Sequence, residues 1–393
     1  MKTLHQSPID PDFVQDPYPF YERARAGGPF FHWAEYGMAC TASAAACNAI
    51  YRDRRFGREV PAELAPIVPD HLKPFYAVEA HSMLELEPPR HTRLRGLVLR
   101  AFTSRRINAL GPEITALTHQ LIDAFPAGPF DLLAHFGTRL PVIIIARLLG
   151  VPETKSDDLL QWSNAMVGMY MAGRTPESEA RACRATVAFV AFMRSYIETR
   201  RATPADDLIS SLIAAEEAGE RLSTDELIST CILLLNAGHE ATVHTIGNGV
   251  KTLLQTGTAA ALAPETLETC VEEILRFDPA LHMFTRWAYA DVEVMGHTFR
   301  RGDQVALLLA AANRDPAHWD HPAQFIPSRA ARPHVSFGAG LHFCVGAPLA
   351  RLELQIALPL LFQRRPKLRL ASPPVYGDVY HFHGLTALMV QAD

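Results

Sequence analysis

One of the six cysteines in this 393-residue chain lies in a segment whose residue types suit metal chemistry. The segment VSFGAGLHFCVGAPLARLEL places Cys344 in a glycine-rich loop, directly before an amphipathic helix. The positive end of that helix dipole and the N–H groups of its first turn favour a thiolate. Gly340 and Gly346 let the backbone approach a flat ligand, while Phe337 shields the sulfur from water. Such a thiolate is a good axial ligand for haem iron, so Cys344 is the candidate metal ligand; the alternative is a buried thiol near a helix cap.

A second unusual segment is STDELISTCILLLNAGHEATVHTIGNGVKTLLQ. Ser223 and Glu226 form a capping box, and helical character continues for about 30 residues, or roughly 45 Å. Residues 231–235 are apolar on every face of this helix, which indicates burial. Glu240 and Thr242 then interrupt the apolar run. Because a buried carboxylate is costly without a partner, we expect a cavity for water or ligand beside Glu240; the alternative is a capped or solvent-facing turn.

The elements that must position these residues follow from hydrophobic periodicity. Residues 88–255 read mainly as helices, whereas strand-like alternation occurs near 30–41, 292–309 and 375–390. These strands lie towards opposite ends of the chain, and strands need partners for their backbone groups, so we expect the two ends to pair. No repeat or low-complexity linker divides the sequence. The prediction is one mainly α (α+β) domain over residues 1–393, with a long central helix and small β-sheets formed by the N- and C-terminal regions.

Composition excludes several classes of protein. The 37 Lys and Arg against 42 Asp and Glu give a net charge of -5, which offers no basic field for nucleic acid. No stretch approaches the roughly 20 apolar residues of a membrane span, and the N-terminal MKTLHQSPIDPD is too polar for a secretory signal. The cysteines contain no CxxC pair. We therefore expect a cytoplasmic protein that binds neither nucleic acid nor membrane.

The loop around Cys344 carries a family resemblance. Its spacing F-x-x-G-x-x-x-C-x-G resembles the haem-ligand signature of the cytochrome P-450 family. Given 20 Phe, 23 Gly and 6 Cys in the chain, chance would supply about 0.001 matches. The resemblance is to soluble bacterial-type haem-thiolate monooxygenases and implies their fold and haem b (iron protoporphyrin IX) as cofactor. It also implies that Gly338 and Ala237 lie against the haem.

The resemblance extends to the haem propionates and to a buried ion pair. His91 and Arg95 share a helix face at i,i+4 spacing, which suits a carboxylate ligand. The family places both residues on a propionate, and Arg286 and His342 match two further propionate partners. A fifth match is the E-x-x-R motif, which braces the fold behind the haem. It occurs four times here, and the copy with the family's chain order is the pair Glu273 and Arg276.

Two departures from the family pattern concern the function. The family's P-x-R-F stretch reads HPAQF here, so Gln324 replaces the expected arginine and Glu273 needs another partner. The family usually has Thr at position 241, where its hydroxyl positions the water that delivers a proton, but this chain has Ala241. The Thr242 side chain points about 100° away from that of residue 241 around the helix axis. Its hydroxyl can therefore replace the missing one at position 241 only if the helix register slips at Gly238. We expect Glu240 to supply protons while the substrate or Thr242 positions the water.

The resemblance predicts an apolar small organic substrate, O2, and electrons from a separate ferredoxin and ferredoxin reductase, with the protein a monomer. By family position, the substrate pocket includes six residues of the central helix and C-terminal half, namely Leu235, Leu281, His282, Met283, Phe284 and His383. A cationic cluster near the cysteine side is a candidate docking site for an acidic ferredoxin: Arg105, Arg106, Arg364, Arg365, Lys367 and Arg369.

Three functions other than monooxygenation are alternatives for this sequence. A peroxide-driven peroxygenase fits Ala241, although such relatives usually lack the acid that Glu240 supplies. A non-catalytic haem carrier or gas sensor would not need the distal polar groups. A zinc enzyme would need a third ligand beside His381 and His383, or beside His318 and His321, and the sequence shows none.

Overall fold

The computed structural model describes residues 1–171, 173–217, 222–378 and 380–392. Its α-helices are α1 (Pro11–Gln15), α2 (Tyr18–Ala26), α3 (Ala44–Arg52), α4 (Lys73–Glu79), α5 (Arg90–Ala101), α6 (Ser104–Ala109), α7 (Gly111–Asp123), α8 (Arg139–Leu149), α9 (Ser156–Val167), α10 (Pro176–Ala202), α11 (Leu208–Glu217), α12 (Thr224–Thr256), α13 (Leu267–Phe277), α14 (Leu309–Ala312) and α15 (Ala347–Arg364). Its strands are β1 (Lys2–Leu4), β2 (Phe31–Trp33), β3 (Met38–Thr41), β4 (Phe56–Gly57), β5 (Phe130–Asp131), β6 (Met283–Ala288), β7 (Val292–Val294), β8 (His297–Phe299), β9 (Gln304–Leu308), β10 (Arg369–Leu370), β11 (Val375–Tyr376), β12 (Leu385–Ala387) and β13 (Met389–Gln391).

Helix α12 is the predicted long central helix. It has 33 residues, which corresponds to about 50 Å. The predicted capping box is present, because the Ser223 hydroxyl accepts from the Glu226 N–H and the Glu226 carboxylate accepts from the Ser223 N–H. Gly257 ends the helix in the left-handed conformation, with φ at 66°. Helices α8, α9, α10 and α15 pack around α12, so its middle lies deep in the domain.

The largest sheet joins distant parts of the chain, as predicted. Its six strands have the order β1-β2-β3-β9-β6-β4. Strand β3 runs parallel to β9, with Cys40 opposite Ala306, and β4 runs antiparallel to β6. The C-terminal strands behave differently from the expectation: β13 pairs with β5 and β10, while β11 pairs with β12. The backbone groups of these strands are thus satisfied by a mid-chain strand and by one another.

The apolar residues form one large helical core and two smaller cores on either face of the six-stranded sheet. The mainly α (α+β) fold is therefore confirmed. Among the residues described, none of the helices combines the length and hydropathy required to cross a bilayer.

Candidate active site

The loop of Cys344 is closed by its own backbone. The Cys344 N–H donates to the Phe337 carbonyl at 3.0 Å, and Gly346 forms the N-cap of α15. Gly340 has φ at 69°, and a Cβ there would stand 2.0 Å from the Tyr51 carbonyl oxygen. Only glycine fits this position, because the left-handed backbone and the close approach both exclude a side chain. The sequence prediction of a tight glycine turn is confirmed at this residue.

The electrostatics of Cys344 differ from the expectation of an intrinsically anionic sulfur. Burial raises the pKa of the thiol, and this effect exceeds the opposing hydrogen bonds from the Gly346 and Ala347 N–H groups and the positive charges of Arg95 and Arg351. The helix dipole alone therefore does not hold a thiolate. A bond to a metal ion would supply the additional positive charge that the thiolate needs, because a metal ion deprotonates a coordinating thiol.

Helix α12 exposes one stripe of small and polar residues in its otherwise buried middle. Ala237, Glu240, Ala241 and His244 all keep accessible surface, and they share one helix face by their three- and four-residue spacing. The residues around them, including Asn236, are buried. Accessible surface this deep in a domain means that the stripe borders an internal space. Ala237 and Ala241 reach no further than Cβ, so a flat ligand can lie against them.

Two guanidinium groups, one buried and one half-buried, have no carboxylate partner among the described residues. Arg286 is 4% exposed, donates only to the Thr285 carbonyl at 2.8 Å and stacks on Tyr51 at 5.0 Å. Burial lowers its pKa to about 10. Arg95 donates to the Phe343 carbonyl at 2.6 Å, one residue before Cys344. A buried cation requires an anionic partner, so Arg286 calls for a ligand with negative charge, and the half-buried Arg95 can contribute to binding the same ligand.

The two predicted histidines stand together beside Arg95. The rings of His91 and His342 are 4.4 Å apart, and His91 Nδ1 is buried without a partner. Burial, together with the charges of His342 and Arg95, lowers the pKa of His91 to about 4. His342 differs from the expectation, since its Nε2 lies 2.9 Å from the Glu87 carboxylate. Of the predicted propionate partners, His342 thus already has a carboxylate partner among the described residues.

The residues present fit a haem. A thiol at a helix N-terminus, a stripe of small residues on α12, two uncompensated guanidinium groups and an unpartnered His91 Nδ1 match a flat iron complex with two carboxylates. The sequence-predicted residues Cys344, Arg95, Arg286 and His91 would hold it. Phe284 links the loop to β6, because a Cβ at Gly338 would stand 3.7 Å from its ring.

Glu240 is held between two imidazoles. His244 Nε2 lies 3.2 Å from Oε1, and His239 Nε2 lies 3.4 Å from Oε2. Burial raises the pKa of Glu240, but the hydrogen bonds and charges of the two histidines outweigh it and hold the pKa well below its usual range. His239 is anchored in turn, because its Nδ1 donates to the Leu235 carbonyl at 2.9 Å. Glu240 is thus a half-buried carboxylate rather than a fully buried one, and its partners are its own helix neighbours.

Thr242 does not take the place of the missing hydroxyl at position 241. Helix α12 is continuous through Gly238, so the register slip does not occur. The Thr242 hydroxyl points to the Gly238 carbonyl at 3.4 Å, and the residue is 6% exposed. Gly238 is required for packing, since a Cβ there would stand 3.0 Å from Ile145. The hypothesis that Thr242 positions the water is therefore not supported by the structure.

The predicted ion pair is present and more extensive than expected. Arg276 donates to both oxygens of Glu273 at 2.7 Å, and the two residues are 1% and 3% exposed. Arg329 completes the group at 3.0 Å from Glu273, and Arg276 also donates to the Gln324 carbonyl. The guanidinium missing at position 324 is thus supplied by Arg329, which the sequence analysis did not identify.

The predicted substrate-pocket residues separate into two groups. Phe284 and Leu281 lie on the sheet side that contacts the cysteine loop, and Leu235 packs in the helical core. Met283 instead packs in the core around Trp33, on the opposite side of β6. Alternation along the strand explains this difference, because adjacent side chains point to opposite faces. Met283 is accordingly removed from the pocket.

His282 and His383 do not line the predicted pocket either, because both lie in a buried cluster around Asp278. His282 Nδ1 lies 2.8 Å from the Tyr21 hydroxyl, and His383 Nε2 lies 3.6 Å from Asp278. Asp278, His282 and His383 have ligand atoms within 4.8 Å of one another, a set that differs from the His381 and His383 pair considered in the sequence analysis. However, Lys251 Nζ already lies 2.7 Å from the Asp278 carboxylate. Lys251 lowers the pKa of Asp278 against the effect of burial, so the cluster is a charged brace rather than a metal site.

The functional neighbours that sequence reasoning missed are His239, His244, Glu87 and Arg329. His239 and His244 could have been identified from the sequence, because His239 is adjacent to Glu240 and His244 is four residues after it on the same helix face. Glu87 and Arg329 were not, since their partners lie 255 and 56 residues away.

The chain is similar to proteins of known family. The family model described as Cytochrome P450 matches residues 265–365. The chain is 36% identical to cytochrome P450 monooxygenase PikC of Streptomyces venezuelae, over 99% of this chain and 94% of that protein. It is 40% identical to the vitamin D(3) 25-hydroxylase of Pseudonocardia autotrophica, over 78% and 77% of the two chains. The crystal structure of P450BioI with a hexadecenoic acid-ligated acyl carrier protein superposes with a TM-score of 0.92 at 34% identity, covering 97% of this chain and 100% of that one.

Proposed function

Since this chain belongs to the cytochrome P450 family and is a haem-thiolate monooxygenase, we propose that it inserts one oxygen atom of O2 into an apolar small organic substrate. The single observation that carries this proposal is the thiol of Cys344 at the N-terminus of α15, with the charge of Arg95 acting on it. Arg95 and the buried Arg286 have no carboxylate partner within the described residues.

The cofactor that we propose is haem b. When bound, it supplies an iron centre that activates O2 and oxidises a C–H bond. Cys344 would bind the iron, and the Gly346 and Ala347 N–H groups would stabilise the charge on its sulfur. Arg95, Arg286 and His91 would orient the two propionates through charge-assisted hydrogen bonds.

Glu240 is the group proposed to move protons. Its carboxylate borders the internal space beside Ala241, and His244 and His239 lie within 3.4 Å of its two oxygens. A carboxylate between two imidazoles can pass a proton on and be reprotonated by a neighbour. Because Ala241 carries no hydroxyl, the task of positioning water falls to the substrate.

The proposed substrate is an organic molecule with a large apolar body. Two of the proposed lining residues, Phe284 and Leu281, are apolar and partly buried, which supports this substrate class. The names of two relatives point the same way, since one is a vitamin D(3) hydroxylase and another was crystallised with a fatty acid on a carrier protein. We propose a separate ferredoxin and ferredoxin reductase as electron donors, and a monomeric, cytoplasmic enzyme.

Reconstitution tests this function. The reduced carbonyl adduct of the haem-loaded protein should show a thiolate-type spectrum, and substrates found by spin-state shift should be oxidised with NADPH, reductase and ferredoxin. Cys344→Ser should abolish both the spectrum and the turnover. A histidine-type spectrum in the wild-type protein would refute the proposal. Turnover with hydrogen peroxide alone that exceeds the NADPH-driven rate would instead support the peroxygenase.

A further inference from the structure

A continuous polar path leads from the surface of α9 to Glu240. Asn164 lies on α9, and its Oδ1 is 3.3 Å from Nε2 of His239. The same Nε2 lies 3.4 Å from Oε2 of Glu240. The His239 side chain is 2% exposed, whereas Asn164 is an exposed residue. A buried imidazole thus separates Glu240 from the surface, with one polar contact on each side of its ring.

Asn164 faces solvent rather than the internal space beside Glu240. Asp157, Gln161 and Asn164 are all exposed, and their spacing of four and three residues places them on one face of α9. His239 comes one residue before Glu240, which turns its side chain by about 100° around the axis of α12. Because α9 packs against α12, this turn brings the imidazole to the outer helix. The path therefore connects solvent with the internal space.

The hydrogen bonds of His239 leave one ring nitrogen for proton exchange. Nδ1 donates to the Leu235 carbonyl at 2.9 Å, so this nitrogen keeps its proton. Nε2 faces two oxygens, Oδ1 of Asn164 and Oε2 of Glu240. With Nδ1 fixed in this way, the ring gains or loses a proton at Nε2, the atom that both neighbours contact.

His244, the other imidazole beside Glu240, has no comparable outlet. Its Nε2 lies 3.2 Å from Oε1 of Glu240, but its Nδ1 is buried without a hydrogen-bond partner among the described residues. A Cβ at Gly384 would stand 1.9 Å from this Nδ1, so the C-terminal segment covers it. Of the two imidazoles, His239 is therefore the one whose contacts reach an exposed residue.

We propose that protons enter the site from the outer face of α9 and reach Glu240 through His239. This inference rests on the proposed function and names the entry point of its protons. The charged ring passes the Nε2 proton to Oε2 of Glu240, and the carboxylic acid so formed gives its proton to water in the internal space. His239 then takes a proton at Nε2 from a solvent water beside Asn164, and the buffer neutralises the hydroxide. One proton thus moves inward and no electron is transferred.

Comparing two ways of driving the same oxidation tests this route. The reaction with O2, NADPH, reductase and ferredoxin takes up two protons at the site, whereas hydrogen peroxide already carries them. With the substrate that the spin-state screen identifies, His239→Gln should lower NADPH-driven turnover about 100-fold and raise its solvent deuterium isotope effect. Peroxide-driven turnover should stay within about twofold of the wild-type rate. A merely structural role of His239 would instead lower both rates together.

Variants of the exposed residue Asn164 test the route without changing the buried ring. Asn164→Leu places an apolar side chain at Nε2 of His239 and should lower NADPH-driven turnover several-fold. Asn164→Asp keeps an oxygen at this position and should retain most of the rate. Gln161→Leu makes the same kind of change one turn earlier on the same exposed face, and it should leave turnover unchanged.

The fixed tautomer gives a readout that does not involve turnover. Nitrogen-15 NMR of the reduced carbonyl adduct at about pH 8, where a free imidazole is neutral, should show a proton on Nδ1 of His239. The signal is assigned by its loss in His239→Gln.

Three results would each refute the inference: equal losses in Asn164→Leu and Gln161→Leu, equal losses of NADPH- and peroxide-driven turnover in His239→Gln, or a His239 ring protonated at Nε2 alone. A thiolate-type carbonyl spectrum confirms that each variant is folded and loaded. If that spectrum is histidine-type in the wild-type protein, it is the proposed function that fails.

Discussion

At the scale of single residues, Glu240 has the most constrained chemistry in the central helix. Its two flanking imidazoles stabilise the ionised form, so it is a proton carrier only if a histidine reprotonates it. His244 Nδ1 is buried without a partner, which marks it as the end of this short relay within the described residues.

Glu240→Gln keeps the shape of the side chain and removes its proton-carrying function. We expect substrate turnover to fall about 100-fold, because a positioned acid–base group contributes a factor of that order. The solvent deuterium isotope effect on turnover should rise at the same time. An unchanged rate and isotope effect would show that protons reach the site by another route.

Ala241→Thr restores the hydroxyl that the family usually has. If the natural substrate positions the water, product formed per NADPH should not increase beyond about twofold. Thr242→Val is the matched control and should leave coupling unchanged, because that hydroxyl only faces the Gly238 carbonyl. A sharp rise in coupling for Ala241→Thr would contradict the proposed role of the substrate.

At the scale of elements, the buried group of Glu273, Arg276 and Arg329 joins α13 to the segment before the cysteine loop. Arg276 also donates to the Asn313 and Pro322 carbonyls, at 2.9 Å each. One side chain thus links three segments of backbone. Its removal leaves several carbonyl groups without a donor and leaves the buried Glu273 carboxylate with Arg329 and the Ile326 N–H as its donors.

Arg276→Met should therefore lower the free energy of unfolding by about 3–5 kcal/mol. The chain provides its own control, since Glu198 and Arg201 have the same E-x-x-R spacing with Glu198 exposed. Glu198→Gln should cost no more than about 0.5 kcal/mol. Denaturant titrations of the two variants measure the difference, and similar losses would contradict the structural role of the buried pair.

Gly384 fixes the distance between the C-terminal segment and α12. A Cβ at this position would stand 1.9 Å from His244 Nδ1. Gly384→Ala should lower the free energy of unfolding by about 1–3 kcal/mol and reduce turnover, because the methyl group displaces His244 from Glu240. Gly168→Ala, where a Cβ meets nothing within 4 Å, is the control and should change neither quantity.

Features formed by residues that are close in the chain are the ones that the sequence predicts correctly. The capping box of α12, the glycine turn at Gly340 and the Glu273–Arg276 pair involve residues close in the chain, so the sequence contains the whole signal. The substrate pocket was harder to predict, because whether Met283 or Phe284 points inward depends on the register of β6 against β9. That register is set by distant residues, and no local pattern reveals it.

At the scale of the whole molecule, the charge distribution bears on electron delivery. Helix α6 packs against α15, so Arg105 lies on the side of the domain that carries α15. Two of the six predicted docking residues are already paired, Arg106 with Asp206 at 3.0 Å and Arg364 with Asp123 at 2.5 Å. Arg105 and Lys367 are exposed and have no ion-pair partner among the described residues.

Reduction of the enzyme by an acidic ferredoxin should slow several-fold as salt rises from about 0.05 to 0.5 M, because exposed charges are screened. Arg105→Glu should slow it further at low salt, and the effect should vanish at high salt. Arg54→Glu, outside the cluster, is the control. Stopped-flow measurement of the reduction rate gives both dependences, and a salt-independent rate would refute docking at this surface.

The parallel pairing of β3 with β9 has a consequence for biogenesis. The ribosome produces β3, His91, Arg95 and all of α12 long before it produces β9 and Cys344, at about 5–20 residues per second. The nascent polypeptide thus contains His91, Arg95 and α12 of the haem site before Cys344 has been translated. Binding of the porphyrin iron by Cys344 then has to follow synthesis of the second half of the site, and starving cells of porphyrin should leave an incompletely closed molecule as a substrate for proteases.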